Sequence, residues 1–576
     1  MPKKSSVRFL KFPLSLSVLL AAAAFGIGCA GQAQPASVTV LSVDDYGAVP
    51  NDGADDSAAI AAALKASSEV AGPVRLVFSE GTYNFRPAST PAEMVRIEDR
   101  RDLIVSGQVA EDGAPATRLE INLELVNDTL GAGHFVIENS ENIMVENLVL
   151  DYNPRFASAG KVVAVDREQD TVEVDIFPGM PHFDGMRCYS ANSWDLETGD
   201  LLQVEALTIG LDRKRMANTW HPVEGAGGVR YRIEGIGFSD RVAVGDGISW
   251  HFTVNGSERN FLILYSENIT LRNIDIFNTL GAAMLAGYNK DIVMEDVRVI
   301  PEGNSLAVGP RDAFHLSNNR GRLLMDGVQV KGVRWDPIVS RGTFNEIVEI
   351  EDDGAIIVEV PWPRMTFESG NTLLFQVGEV PYERVVASAE SLGDKRYRIR
   401  LSDPALPEVS VGDFVANTSY EFDDVVIRNC TVEGNYGTGI VFMTQNALIE
   451  NNLFRNNAYS DIGLGPTSQD AGPFARHVII RGNTFDGSNW VRKHSGASGH
   501  DGSITVFSNQ KKLMDVPYNQ DILIEDNVFK NLDHREGLAA VNVKNASDVV
   551  LRGNSYENVS QHLKVGEHTV DVTDED

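Results

Sequence analysis

Asn142-Ile143-Met144-Val145-Glu146-Asn147-Leu148 and Asn268-Ile269-Thr270-Leu271-Arg272-Asn273-Ile274 are one phrase written twice, apolar residues at alternate positions with asparagine at the turns. Alternation with period two puts one set of side chains on a single face of a strand, and the polar residue behind it tolerates the left-handed backbone of a corner. Seven more copies begin near Asp291, Arg322, Asp424, Asn446, His477, Asp521 and Asp548. A strand this short cannot bury its apolar face alone, so the copies are expected to stack in a continuous column. Asp424 to Asn446 is a step of 22 residues, room for three short strands with their turns and too little for a helix-containing coil. The predicted fold is all-β: a right-handed parallel β-helix solenoid, with an all-β sandwich as the alternative.

A solenoid needs a cap at its open end. Residues 29–155 read as that cap and the first coils: Asp44-Asp45-Tyr46-Gly47-Ala48, then a short helix from Asp55-Asp56-Ser57 to about Ala66 with Asp or Ser as N-cap, then strands at Val74–Phe78 and Gly81–Tyr83. Two stretches of alternating sequence lack the asparagine turns, 156–260 and 346–419, and read as inserted β-modules. Coils fill 261–345 and 420–560, and 561–576 reads as an acidic tail. Insertions in a solenoid gather on one face, often the binding face.

Lys3, Lys4, Arg8 and Lys11 precede an uncharged apolar run from Phe12 to Ile27, the pattern of an export signal over residues 1–28. The run ends in Gly26-Ile27-Gly28-Cys29, which resembles a bacterial lipoprotein cleavage site and implies lipid attachment at Cys29, hence a cell-surface or periplasmic location; ordinary cleavage and secretion is the alternative. Any membrane contact would be through that anchor. Formal charge is −31 for the whole chain and −35 without residues 1–28, which argues against a nucleic-acid partner. Cys188 and Cys430 are too few for a disulfide framework and read as isolated or as one pair.

Asp45-Tyr46-Gly47-Ala48 with Asp55-Asp56 resembles the cap of pectin-lyase-like β-helix enzymes. Asp312-Ala313-Phe314-His315-Leu316-Ser317, Trp335-Asp336-Pro337-Ile338, Gly342-Thr343-Phe344 and Asn435-Tyr436-Gly437-Thr438-Gly439 resemble glycoside hydrolase family 110, bacterial α-1,3-galactosidases. The resemblance implies an oligosaccharide or polysaccharide substrate and no cofactor or metal. In that family an aspartate stands at 312 and a pair of aspartates at 335 and 336; this chain has Trp335-Asp336. Asn and His are usual at 339 and 341, and arginines near 436 and 438, where this chain has Val339, Arg341, Tyr436 and Thr438.

Inverting hydrolysis needs a protonated carboxyl for the leaving oxygen and an ionised one to activate water. Asp312 and Asp336 are 24 residues apart, about one coil, which predicts adjacent rungs and a pKa pushed upward in one of them. Three assignments stay open: Glu346, Asp461 or Asp470 supplies the acid; Asp336 is the acid and Asp312 the base, the working choice; or hydrolysis is lost. Strand alternation puts His315 on the opposite face from Asp312 unless the chain bends between them. Trp335 offers an apolar platform to a sugar ring. Arg334 and Arg341 have the donor geometry for carboxylate or sulfate. The competing functions are a polysaccharide lyase on the same fold and a non-catalytic glycan-binding lipoprotein.

Overall fold

The computed structural model describes residues 37–87, 92–129, 131–206, 218–225, 227–235, 237–253, 259–361, 367–377, 381–403, 405, 409–491, 501–513 and 515–576. The export segment and Cys29 lie outside them. Three parallel ladders form the faces of a prism. The first runs from Thr39–Ser42 through Arg320–Asp326, Phe422–Arg428 and Gln445–Glu450 to Thr569–Asp574. The second runs from Gly81–Phe85 to Ser555–Glu557, the third from Ala92–Glu98 through Phe314–Ser317 and Ile338–Ile350 to Leu563–Val565. Long strands such as Glu141–Asn153 and Glu267–Ile276 bend round a corner and serve two ladders.

The repeat explains the corners. Asn142, Asn268, Asp291, Asn446, His477, Asp521 and Asp548 all have φ between 55° and 60°, the left-handed region that Asn and Asp tolerate best after glycine. At the fourth copy Gly321 carries the positive φ in place of Arg322. Five residues on, a second left-handed corner falls at Asn147, Asn273, Asp296, Asn429, Asn451 and Asp526, and at Gly327, Gly482 and Gly553. Between the corners the alternation sends Ile143 and Val145, or Ile269 and Leu271, into the core.

Inside the corner that follows, a column of side-chain amides runs along the axis. Nδ2 of Asn452, Asn483 and Asn527 donates to Oδ1 of the asparagine on the next rung, at 2.9, 3.0 and 3.0 Å, and Asn554 donates to Asp576. The second hydrogen of each Nδ2 goes back to a buried carbonyl, of Ile427, Ile449, Ile480 and Ile524 in turn. Each Oδ1 also accepts a backbone N–H from the rung before. Beside this column, Phe454, Phe485, Phe529 and Tyr556 stack at 5.2, 4.9 and 5.5 Å between centroids, close to the rung spacing.

The cap helix is Ser57–Ser68. Asp56 occupies its N-cap position but makes no capping bond; its buried carboxylate accepts from the backbone N–H of Val49 and Asn84 and so stitches the cap to the first coil. Residues 561–576 are not a tail. Leu563–Val565 and Thr569–Asp574 add a last rung, because Val572 alternates into the core and Asp576 closes the amide column. Cys188 and Cys430 are buried and unbridged, and Cys430 takes the rung position next to Asn452.

Two antiparallel sheets leave the prism. One is built from strands between Ala157 and His251, the other from the far half of Ile338–Ile350 and strands up to Phe414–Asn417. Among the described residues no helix is long and apolar enough to cross a membrane.

Asn483→Ala, in the middle of the column, would orphan the Asn452 amide and backbone N–H and the Ile449 carbonyl together. At about 1–3 kcal/mol per buried orphan, unfolding free energy is expected to fall by about 3 kcal/mol or more in denaturant titration. A loss within the error of the measurement would mean the column contributes nothing to stability.

Candidate active site

The site lies where the chain turns onto the third face. Phe314 pairs with Ile338, and Ile338 with Ile440, so the residues two places earlier, Asp312, Asp336 and Thr438, hold the same coil position on successive rungs. Phe314 N–H donates to Pro337 O at 2.9 Å, fixing the two aspartate rungs side by side. The residues before them, Arg311, Trp335 and Gly437, form a parallel column, with the Arg311 guanidinium 5.7 Å from the centre of the Trp335 ring. Gly437 is required by contact: a Cβ there would lie 2.1 Å from Trp335 O.

Asp312 is buried. Its Oδ2 accepts from His315 Nδ1 at 2.7 Å, and its Oδ1 is enclosed with no protein donor. His315 therefore sits with Asp312, against the alternation argument. The reason is local: Phe314 is the first residue of the strand and Asp312 precedes it, on the corner, where alternation does not operate. Asp336 Oδ1 accepts the Thr438 backbone N–H at 2.7 Å. Desolvation first, and the Asp312 charge second, push the Asp336 carboxyl up to about 7, against the pull of the Thr438 N–H and of Arg311.

Arg334 does not face the site. It is buried beneath it, donating to Asn192 Oδ1 at 2.7 Å, to Ser249 O and Oγ at 2.8 and 2.6 Å, and to His251 Nδ1. Burial and the Arg334 charge hold His251 neutral, so its Nδ1 can accept while Nε2 faces Val308 O. Arg334 thus fastens the first antiparallel sheet to the corner that carries Asp336. Trp335 is half-buried, with Arg311 over its ring.

Of the alternative acids, Asp461 is fully enclosed between Ser503 Oγ (2.6 Å) and Asn457 Nδ2 (3.0 Å), and Glu346 is exposed on the second antiparallel sheet. Asp470 lies beside Arg341, with 3.5 Å between Oδ2 and Nη2. Arg341 points outward from the third face, directly opposite Ser317 on the rung of His315. Val339, by contrast, is sealed under Val441, Met443 and Ala471. Tyr436 accepts the Ala206 N–H at 2.7 Å and packs on Tyr459, closing the site against the first antiparallel sheet. Arg311, and the backbone N–H of Thr438 as a donor to Asp336, escaped the sequence reading. Arg311 was findable, because it precedes Trp335 by the same 24 residues that separate the aspartates.

The geometry can be set beside known proteins. The family profile described as "Right handed beta helix region" matches residues 414–568. Alpha-1,3-galactosidase B of Akkermansia muciniphila is 24% identical over 526 residues, covering 87% of this chain and 65% of that protein, so the chain spans slightly less than two thirds of this relative. Alpha-1,3-galactosidase A of Shewanella woodyi is 23% identical over 557 residues, covering 91% and 87%. Among solved structures, the Azotobacter vinelandii mannuronan C-5 epimerase AlgE4 A-module aligns with TM-score 0.45 and 12% identity over 92% of this chain and 99% of that one. The chain is thus a parallel β-helix of the right-handed kind, with sequence relatives named as α-1,3-galactosidases.

Proposed function

We propose that the protein is a glycoside hydrolase acting on α-linked galactose-type glycans with inversion, Asp336 serving as general acid and Asp312 as general base. The observation that carries this reading is two carboxylates on adjacent rungs, one of them driven up to about 7. A carboxyl that keeps its proton near neutrality can protonate the leaving oxygen, and its ionised neighbour can draw a proton from water. His315 orients Asp312 through Oδ2 and leaves Oδ1 to receive that proton. The names of the relatives support the substrate class. Trp335, with Arg311 against it, supplies the wall on the side of the acid.

Asp336→Asn is expected to lower kcat/KM on an unactivated α-galactoside by about 10²–10⁴-fold and to cost far less on a dinitrophenyl galactoside, whose leaving group needs no proton. Equal losses on both substrates would remove Asp336 from the acid role. Proton NMR of the first product should show the β-anomer; α-galactose appearing first would make Asp312 a nucleophile.

The acid works only while protonated, so kcat/KM should fall as pH rises through about 7. Arg311 favours the ionised form of Asp336, so Arg311→Ala should move this basic limb to higher pH. A limb that stays in place or moves down would contradict the assignment.

We also propose export and tethering through lipid on Cys29, on the strength of the basic and apolar opening residues. Cys29→Ser should transfer the protein from the membrane fraction to the soluble fraction of the native host; unchanged partitioning would exclude a lipid anchor there.

A further inference from the structure

Arg341 is short of acceptors. Its side chain is 10% exposed, Nε is buried with no partner, and Nη2 reaches Asp470 Oδ2 only at 3.5 Å, the outer limit of a hydrogen bond. A buried guanidinium with unused donors is costly unless something completes its bonding. Asp470 is held for the purpose. The strand Ala471–Gly472 pairs antiparallel with Gly342 and Thr343, and Phe344 N–H donates to Asp470 O at 3.1 Å. Gly342 and Gly472 permit the approach, since a Cβ on Gly472 would lie 2.3 Å from the Phe344 ring. Ser468 Oγ donates to Asp470 Oδ1 at 2.7 Å. Burial opposes ionisation of Asp470, but Arg341 and Ser468 outweigh it and hold the carboxyl below its ordinary value.

The pair also stands in the right place. His315 lies opposite Val339 and Arg341 is two residues further along that strand, so Arg341 and His315 share the outer face about 8 Å apart by rung spacing and strand rise. Beside Arg341 and Asp470 the face closes over Val339, Val441, Met443 and Ala471. A polar strip from Asp312 through His315 and Ser317 thus ends on one cation and one anion.

Building on the hydrolase reading above, we propose that Arg341 and Asp470 form a sugar subsite that grips two neighbouring hydroxyls, and so selects an uncharged glycoside over a sulfated or uronic one. One hydroxyl oxygen accepts from Arg341, and the other hydroxyl donates to Asp470. An anionic substituent would complete Arg341 equally well but would face the ionised Asp470 across the same few ångströms. A neutral sugar is thus held by donor and acceptor geometry, while a sulfate or carboxylate is rejected by the nearby Asp470 charge.

The test compares a neutral α-galactoside with its 6-O-sulfated counterpart. Wild type should favour the neutral substrate. Asp470→Asn should lower kcat/KM for it by about tenfold to a hundredfold, the loss expected for a hydrogen bond to a charged group, mainly through KM and with the basic pH limb in place. The same change should narrow or reverse the discrimination against sulfate. Ser468→Ala, which only loosens Asp470, should give a smaller loss of the same kind and guards against misfolding. Wild-type preference for the sulfated substrate, or a neutral-to-sulfated ratio unmoved by both variants, would overturn the proposal. If wild type hydrolyses neither, the hydrolase reading fails by itself, and saturation-transfer NMR with galactose and galactose 6-sulfate decides the subsite. Galactose binding lost in Asp470→Asn sustains it; equal binding of both sugars, or of neither, by wild type ends it.

Discussion

Each coil must leave the first face and enter the second within a residue or two, and the backbone groups at that turn are too deep to be satisfied by solvent. The amide column of Asn452, Asn483, Asn527 and Asn554 meets this constraint by giving each rung one side chain that donates twice and, from Asn483 onward, accepts twice. Neither aspartate nor alanine can replace it, one lacking the donors and the other everything. Because the same side chain joins one rung to the next, the turn that solves the local problem also sets the register of its neighbours. The candidate-site corner inherits that register: Asp312, Asp336 and Thr438 share one coil position only because the ladders beneath them do not slip.

Within that frame the site is arranged by burial more than by charge. The resembling family keeps a third carboxyl and more arginine around this corner. Here Tyr436 spends its hydroxyl on Ala206, Val339 lies in an apolar cluster, and Trp335 carries Arg311 over its ring. Desolvation is the leading influence on Asp336, the Asp312 charge adds to it, and Thr438 and Arg311 work against both. Arg334 shows the opposite economy: a charge withdrawn from the surface to anchor the first antiparallel sheet through neutral His251 and Ser249.

The parts legible in the sequence are those whose signal is local. Asn142, Asn268 and Asp548 mark left-handed corners because few other residues accept that backbone, and their alternating followers mark the core side of the strand. The 24-residue interval between Asp312 and Asp336 was readable as one coil for the same reason. The pairing of Asn452 with Asn483 was not, since coils vary in length and the partner stands 31 residues away rather than 22. The side on which His315 meets Asp312 depends on a bend that alternation cannot foresee, since Asp312 lies two residues before the strand begins at Phe314. Arg334 and Arg341 look alike in sequence, and only the packing separates a buried fastener from a group on the outer face. The nearness of Asp470 to Arg341 depends on a two-strand contact across 129 residues, for which no periodic signal exists.

The hydrogen bond from Thr438 to Asp336 joins residues 102 positions apart, with the whole second antiparallel sheet between them. When the ribosome releases Asp336, the rung that will enclose it has yet to be made. The first rungs can stack as they emerge, but the environment that raises Asp336 exists only after the chain has completed an excursion of that length and come back into register. The corner that carries Asp336 is therefore among the late events of folding. A nascent or truncated chain ending before Tyr436 would be a prism in which Asp336 lacks the Thr438 hydrogen bond.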